Sequence, residues 1–164
     1  MKAWWERWLW NLYPCYFFTG ARVRRIDLSA AWVRVELPLT WRTRNIVGTL
    51  FGGFLYAAAD PIFMVMLRRM LGPDYVVWDK AASIDFVHPG RTRVTADFRI
   101  PAEDFALIRE AVDRDGRTER HYPVEWVDAS GVVVARLDKT VWIGSLAYVK
   151  KRALEKKSRS TDLL

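Results

Sequence analysis

Apolar and polar side chains alternate over residues 21–28 and again over 31–37, with Val23, Ile26 and Leu28, then Val33, Val35 and Leu37, on the apolar phase. A period of two buries one face of a strand and wets the other, so both stretches predict half-buried strands, joined by a Ser29-Ala30 turn. Residues 39–48, with WRTRNIVG at their centre, carry neither period and predict a loop rich in side-chain donors. The pattern then changes: residues 51–71 are apolar around almost the whole circumference of a helix, until Arg68 and Arg69, and Gly72-Pro73 ends the run. Such a helix spans about 31 Å. Being apolar on every side, it must be covered on every side, and in a small domain only a sheet wrapped around it can do that.

Strand patterns return over 75–87 and 91–100, the second alternating through Val94, Ala96, Phe98 and Ile100, with a His88-Pro89-Gly90-Arg91 turn between them. Residues 103–112 predict a short amphipathic helix closed by Asp115-Gly116, and 118–127 with 132–143 predict a hairpin across Asp128-Ala129-Ser130-Gly131. Long antiparallel strands around one central helix make an α+β fold.

The 164 residues, without an internal repeat or linker, fit one domain over residues 1–144 that includes a Trp-rich helix over 2–13, followed by a basic tail over 145–164. The formal charge is +7, but the tail holds six basic side chains (Lys150, Lys151, Arg152, Lys156, Lys157 and Arg159) against Glu155 and Asp162, a net +4. The body is therefore close to +3, and the tail reads as a solvated helix end rather than a nucleic-acid grip. No nucleic-acid-binding signature accompanies it. One cysteine, Cys15, excludes an intrachain disulfide and is expected in the core, and two histidines are too few for a His-rich metal site. Cys15 fits a reducing, cytoplasmic setting. No window reaches the ~18 uninterrupted apolar residues of a membrane span, and Glu6 and Arg7 break any signal-peptide pattern. On a helical wheel Trp4, Trp5, Trp8, Leu9 and Leu12 share a face, Arg7 and Asn11 lie off it, and Trp10 is an exception. That face is expected to pack on the domain or on a partner subunit; peripheral membrane contact is the less favoured reading.

The stretch VGTLFGGFLYAAADP carries the candidate chemistry. The start of a buried helix offers unpaired N–H groups and the positive end of a dipole, and Gly52 and Gly53 have no Cβ to keep a carbonyl oxygen away from them. Close packing of the helix on the sheet is the alternative reason for the pair. Asp60 shares a ridge with Gly53, Ala57 and Met64, where small residues leave room beside it. It is a general-base candidate, or else it caps a helix restarting at Pro61, which removes the bond to the Ala57 carbonyl and kinks a continuous helix. Asn45 and Thr49 are the nearest polar side chains to the glycine pair, able to orient water or a carbonyl, or simply to hold the loop. Arg42, Arg44, Arg91 and Arg93 suit phosphate contact or a solvated surface. His88 and His121 read as structural. Asp79 and Lys80 point to opposite faces of a strand, so they are not a mutual ion pair and are read as interface or surface residues.

Asn45, Gly48, Phe51, Gly52, Gly53 and Asp60, followed by Ile84-Asp85-Phe86-Val87-His88-Pro89-Gly90, fall on a spacing that resembles the hotdog-fold superfamily, and more closely its phenylacetyl-CoA thioesterase-like branch. The resemblance covers residues 21–143. It implies a hotdog fold in which an antiparallel sheet wraps the central helix, here with an added N-terminal helix. It further implies a homodimer or tetramer that hydrolyses an acyl-CoA or acyl-carrier thioester at a subunit interface. Asp60 then activates water, the Gly52 and Gly53 amides hold the oxyanion, and Asn45 assists. Thr49, Phe51, Phe54 and Met64 line the acyl group; coenzyme A enters only as part of the substrate, and no cofactor or metal is required. Phe51 stands where that pattern carries histidine, which makes a non-catalytic protein binding acyl chains, lipid or an acyl carrier the alternative.

Overall fold

The computed structural model describes residues 2–161, and the side chains of residues 5–155. Trp4, Lys156, Lys157 and Arg159 therefore have no side-chain description, and Asp162 lies outside the described residues. Among the described residues six strands form one antiparallel sheet: β1 (Arg22–Asp27), β2 (Trp32–Leu37), β3 (Tyr75–Phe86), β4 (Val94–Arg99), β5 (Arg117–Asp128) and β6 (Val133–Ser145), in the order β1-β2-β4-β5-β6-β3. The predicted alternation holds: Val33, Val35 and Leu37 on β2, Val94, Ala96 and Phe98 on β4, and Val124 and Trp126 on β5 are buried on one face.

Among the described residues six helices accompany the sheet: α1 (Lys2–Leu12), α2 (Pro14–Phe17), α3 (Gly52–Ala59), α4 (Ile62–Leu71), α5 (Ala102–Asp115) and α6 (Leu146–Thr161). The apolar run over 51–71 forms two helices, the break-and-restart alternative at Asp60-Pro61. The carbonyl of Ala57 has no N–H to accept from at Pro61, and the chain turns at Asp60-Pro61 before α4 restarts. Both pieces are still held in the curl of the sheet, with Leu55, Ala58, Ala59, Ile62, Phe63, Met66 and Leu67 buried. Phe63 stacks on Tyr122 at 4.8 Å and meets Phe98 edge-on at 5.1 Å. Trp126 donates its indole N–H to Leu55 O (3.0 Å), and the Tyr16 hydroxyl donates to Ala58 O (3.4 Å), pinning α3 from both sides.

α5 is longer than the expected 103–112 and ends on Gly116, whose left-handed φ of 76° favours a residue without Cβ. The basic tail is the helix α6 over its described length, seated on the sheet where the Tyr148 ring covers Gly116.

Candidate functional site

Lys139 lies at the centre of this site. On β6 the buried phase runs Ala135, Leu137, Lys139, Val141 and Ile143, so a lysine takes a position that the period reserves for an apolar side chain. Its side chain is 0% exposed. A lone ammonium there would cost several kcal/mol of lost hydration. Two carboxylates offset that cost. Lys139 Nζ donates to Asp60 Oδ1 at 2.7 Å and lies 3.3 Å from Asp79 Oδ1, the second contact an ion pair without hydrogen-bond geometry. The Tyr56 ring lies under the ammonium, 5.5 Å away.

Each partner has a local reason to be there. Lys139 faces the small Ala82 across β3, which leaves room for its stem. A bulge between Asp79 and Ala81 keeps Asp79 in register with Val141, on the core face, and sends Lys80 outward to Glu119 (2.6 Å). Asp60 sits in the turn between α3 and α4. It does not cap α4, since no side-chain cap bond is made there; its carboxylate is turned to Lys139 instead. Asp79 is thus a partner of the buried lysine rather than the interface or surface residue expected. Burial pushes its carboxyl above the ordinary range, Lys139 draws it back down, and the neighbouring Asp60 charge raises it again. Asp60 keeps 44% of its side chain exposed and Asp79 only 19%, so Asp60 is the carboxylate a ligand can reach.

Asp60 opens into a cavity of about 510 Å³ between α4 and the N-terminal helices, with Met64, Val65, Trp10, Tyr13 and Cys15 in its walls. Cys15 is exposed here, not in the core as expected. The rest of the sequence-predicted constellation gathers elsewhere. Asn45, Thr49, Phe51 and Gly52 line a second cavity of about 460 Å³, with Phe86 and His88 across from them. The Asn45 side chain is engaged within its own loop: Oδ1 accepts from Val47 N (3.1 Å) and Thr49 N (3.0 Å), and Nδ2 donates to Thr49 Oγ1 (2.9 Å). Phe54 is half-buried and meets Phe51 edge-on at 5.5 Å.

Among the described residues, neither the Gly52 nor the Gly53 N–H donates to a protein acceptor. Both glycines also have a packing reason to exist. A Cβ on Gly52 would lie 2.6 Å from the Phe86 ring, and one on Gly53 would lie 2.5 Å from the Phe51 ring. At the helical rise, Asp60 stands roughly 12 Å along the axis from Gly52, so one chain cannot bring both to one carbonyl.

His88 donates from Nδ1 to Val133 O (2.9 Å), and His121 pairs with Thr140 (3.0 Å); both hold strands. Arg44, Arg91 and Arg93 are exposed, and Arg42 lies over the Phe17 ring at 5.8 Å. Among the described residues no three His, Cys, Asp or Glu side chains cluster as metal ligands, and no helix is long and apolar enough to cross a membrane.

A family described as a domain of unknown function, DUF4442, matches residues 5–143. A search of the curated proteins found no match. Several solved structures share the fold. A Pseudomonas aeruginosa protein of unknown function, called a probable thioesterase, is 19% identical with a TM-score of 0.77 over 85% of this chain and 93% of its own. A Haemophilus influenzae thioesterase is 17% identical with a TM-score of 0.67 (86% and 89% covered). An E. coli protein from the phenylacetic acid degradation operon is 18% identical with a TM-score of 0.61 (87% and 92% covered). At these identities the likeness is one of fold.

Proposed function

The chain belongs to the DUF4442 family and has a hotdog fold, and from that premise we propose that it hydrolyses an acyl thioester at a site completed by a second copy of itself. The observation that carries the reading is Asp60: a half-exposed carboxylate, fixed at 2.7 Å by a fully buried lysine, on the wall of a largely apolar cavity. Its distance from the Gly52 and Gly53 amides of its own chain calls for the partner subunit to supply them. In this reading Asp60 takes a proton from water as the water oxygen attacks the thioester carbonyl carbon. The carbonyl electron pair moves onto oxygen, where the two amides hold it. Collapse breaks the C–S bond, the thiolate leaves and takes up the proton, and acid and thiol are the products. Coenzyme A serves as the thiol part of the substrate; Arg44 and Arg91, next in sequence to Asn45 and Gly90 of the second cavity, are the cations placed to meet its phosphates. A cytoplasmic location accompanies this reading.

The same ion pair favours a second reading. A carboxylate committed to a lysine can be structural, and the cavity then holds an acyl chain without turnover. Thiol release from a panel of short, long and aryl acyl-CoA substrates, by the wild type and by Asp60→Asn, separates the two. Loss of about 10²-fold or more in a folded Asp60→Asn supports hydrolysis with Asp60 as base. Undiminished turnover removes Asp60 from the mechanism. Absence of turnover, with thermal stabilisation by an acyl ligand, selects the binding protein.

A further inference from the structure

The N-terminal helix docks on its domain by its polar side. Asn11 Oδ1 accepts from Val23 N (2.7 Å) and Asn11 Nδ2 donates to Val23 O (3.1 Å), so one side-chain amide pairs with the free edge of β1 as a neighbouring strand would. Arg7 donates to Arg24 O (3.4 Å) one residue further along. The helix packs on its own domain as expected, but through the other face, and Trp5, Trp8, Leu9 and Leu12 of the Trp-rich face are turned out. Trp5 is 60% exposed, Phe18 68% and Trp41 83%, with Leu12 and Tyr13 also exposed. Beside them a groove of about 570 Å³ is walled by Trp8, Leu12, Phe17 and Trp41 and carries Arg7, Arg22, Arg24 and Arg42. No acidic side chain lines it, although Arg24 reaches out to Glu36.

We propose that this face docks on a bilayer bearing anionic phospholipid. Tryptophan and tyrosine, apolar in body and polar at one edge, suit the headgroup boundary, and guanidinium groups among them suit lipid phosphate. Charge argues against a second copy as the occupant. A two-fold contact through this face would set the arginines against their own images. The proposal stands independently of thioester hydrolysis.

The test is sedimentation of the full chain with vesicles of phosphatidylcholine alone and of phosphatidylcholine mixed with phosphatidylglycerol. Binding to the mixed vesicles is expected, weakened by salt and reduced at least about tenfold by Arg22→Glu with Arg42→Glu, since each basic group near such a surface adds to the attraction and each reversal adds repulsion. A polarity-sensitive dye on Cys15, the chain's single cysteine, reads docking without any substitution and should shift to the blue on mixed vesicles only. Equal partition onto both vesicles, a silent dye, or loss of binding to millimolar-scale inorganic phosphate rather than to general ionic strength would overturn the proposal. So would self-association that shields the dye before any vesicle is added.

Discussion

Lys139 and Asp60, 79 residues apart in sequence, meet at 2.7 Å, and the lysine is the fully buried member of the pair. This asymmetry orders the consequences of substitution. Asp60→Asn leaves Asp79 to face the ammonium, and Asp79→Asn leaves Asp60. Removing both strands a buried charge and is expected to cost about 3–5 kcal/mol, well beyond the sum of the single changes. Adding Lys139→Met to the double variant should recover most of the loss. Urea unfolding of the full set reads this out, and additive single effects would show that the three groups do not act as a unit.

Asp79 gives the protein an unusual response to mild acid. Its carboxyl is raised by burial, so the native chain holds that proton more tightly than the unfolded chain does. Its contribution therefore makes stability rise as pH falls through the raised value, and levels off below about 3.9, the ordinary aspartate value. Asp97 acts oppositely: bonds from Arg34 and Trp32 hold it low, and the stability they contribute is lost as pH falls through that depressed value. Asp79→Asn should abolish the gain in mild acid and leave the loss in stronger acid, as measured by denaturant midpoints across pH.

Gly52→Ala should cost less than about 1 kcal/mol, because its Cβ meets only the far end of the Phe86 ring at 2.6 Å and that ring, 60% exposed, can swing aside. In a Phe86→Ala background the same change should become neutral or favourable, given alanine's higher helix propensity. A loss of equal size in both backgrounds would mean that the ring is not the cause.

Asn11→Ala removes two bonds to the β1 edge and should cost about 1–2 kcal/mol. Hydrogen exchange at the Val23 amide is the specific readout, and it should quicken more than exchange at Val33 or Val35, inside the sheet.

The strands were legible because their period is simple and their faces differ. Val33, Val35 and Leu37, and Val94, Ala96 and Phe98, fall where alternation places them. Pro61 made the helix break legible too. What the sequence reading missed at the site was long-range. The partner of Asp60 lies on β6, and only the register of β3 and β6 brings Asp79 to it. A trace was present: lysine at 139 on the apolar phase between Leu137 and Val141, an expensive position that asks for a carboxylate. The N-terminal helix misled for the opposite reason. Amphipathic periodicity identifies two faces but not which one the domain takes, and two bonds from Asn11 decide that here. Cys15, small and apolar by type, was expected inside, yet the short α2 carries it on the outer wall of a cavity.

β3 has β6 on one side and, among the described residues, no strand on the other. Twelve residues of main chain along that border are open to any extended segment that arrives. For a newly made chain this is a race. Productive meeting with a matching strand competes with indiscriminate pairing, and the winner depends on concentration and delay. Lys80 and Asp85, charged and exposed along β3, tilt the contest by penalising strands that cannot answer them. The yield of usable protein should therefore depend on how fast chains are produced as well as on how stable each one is.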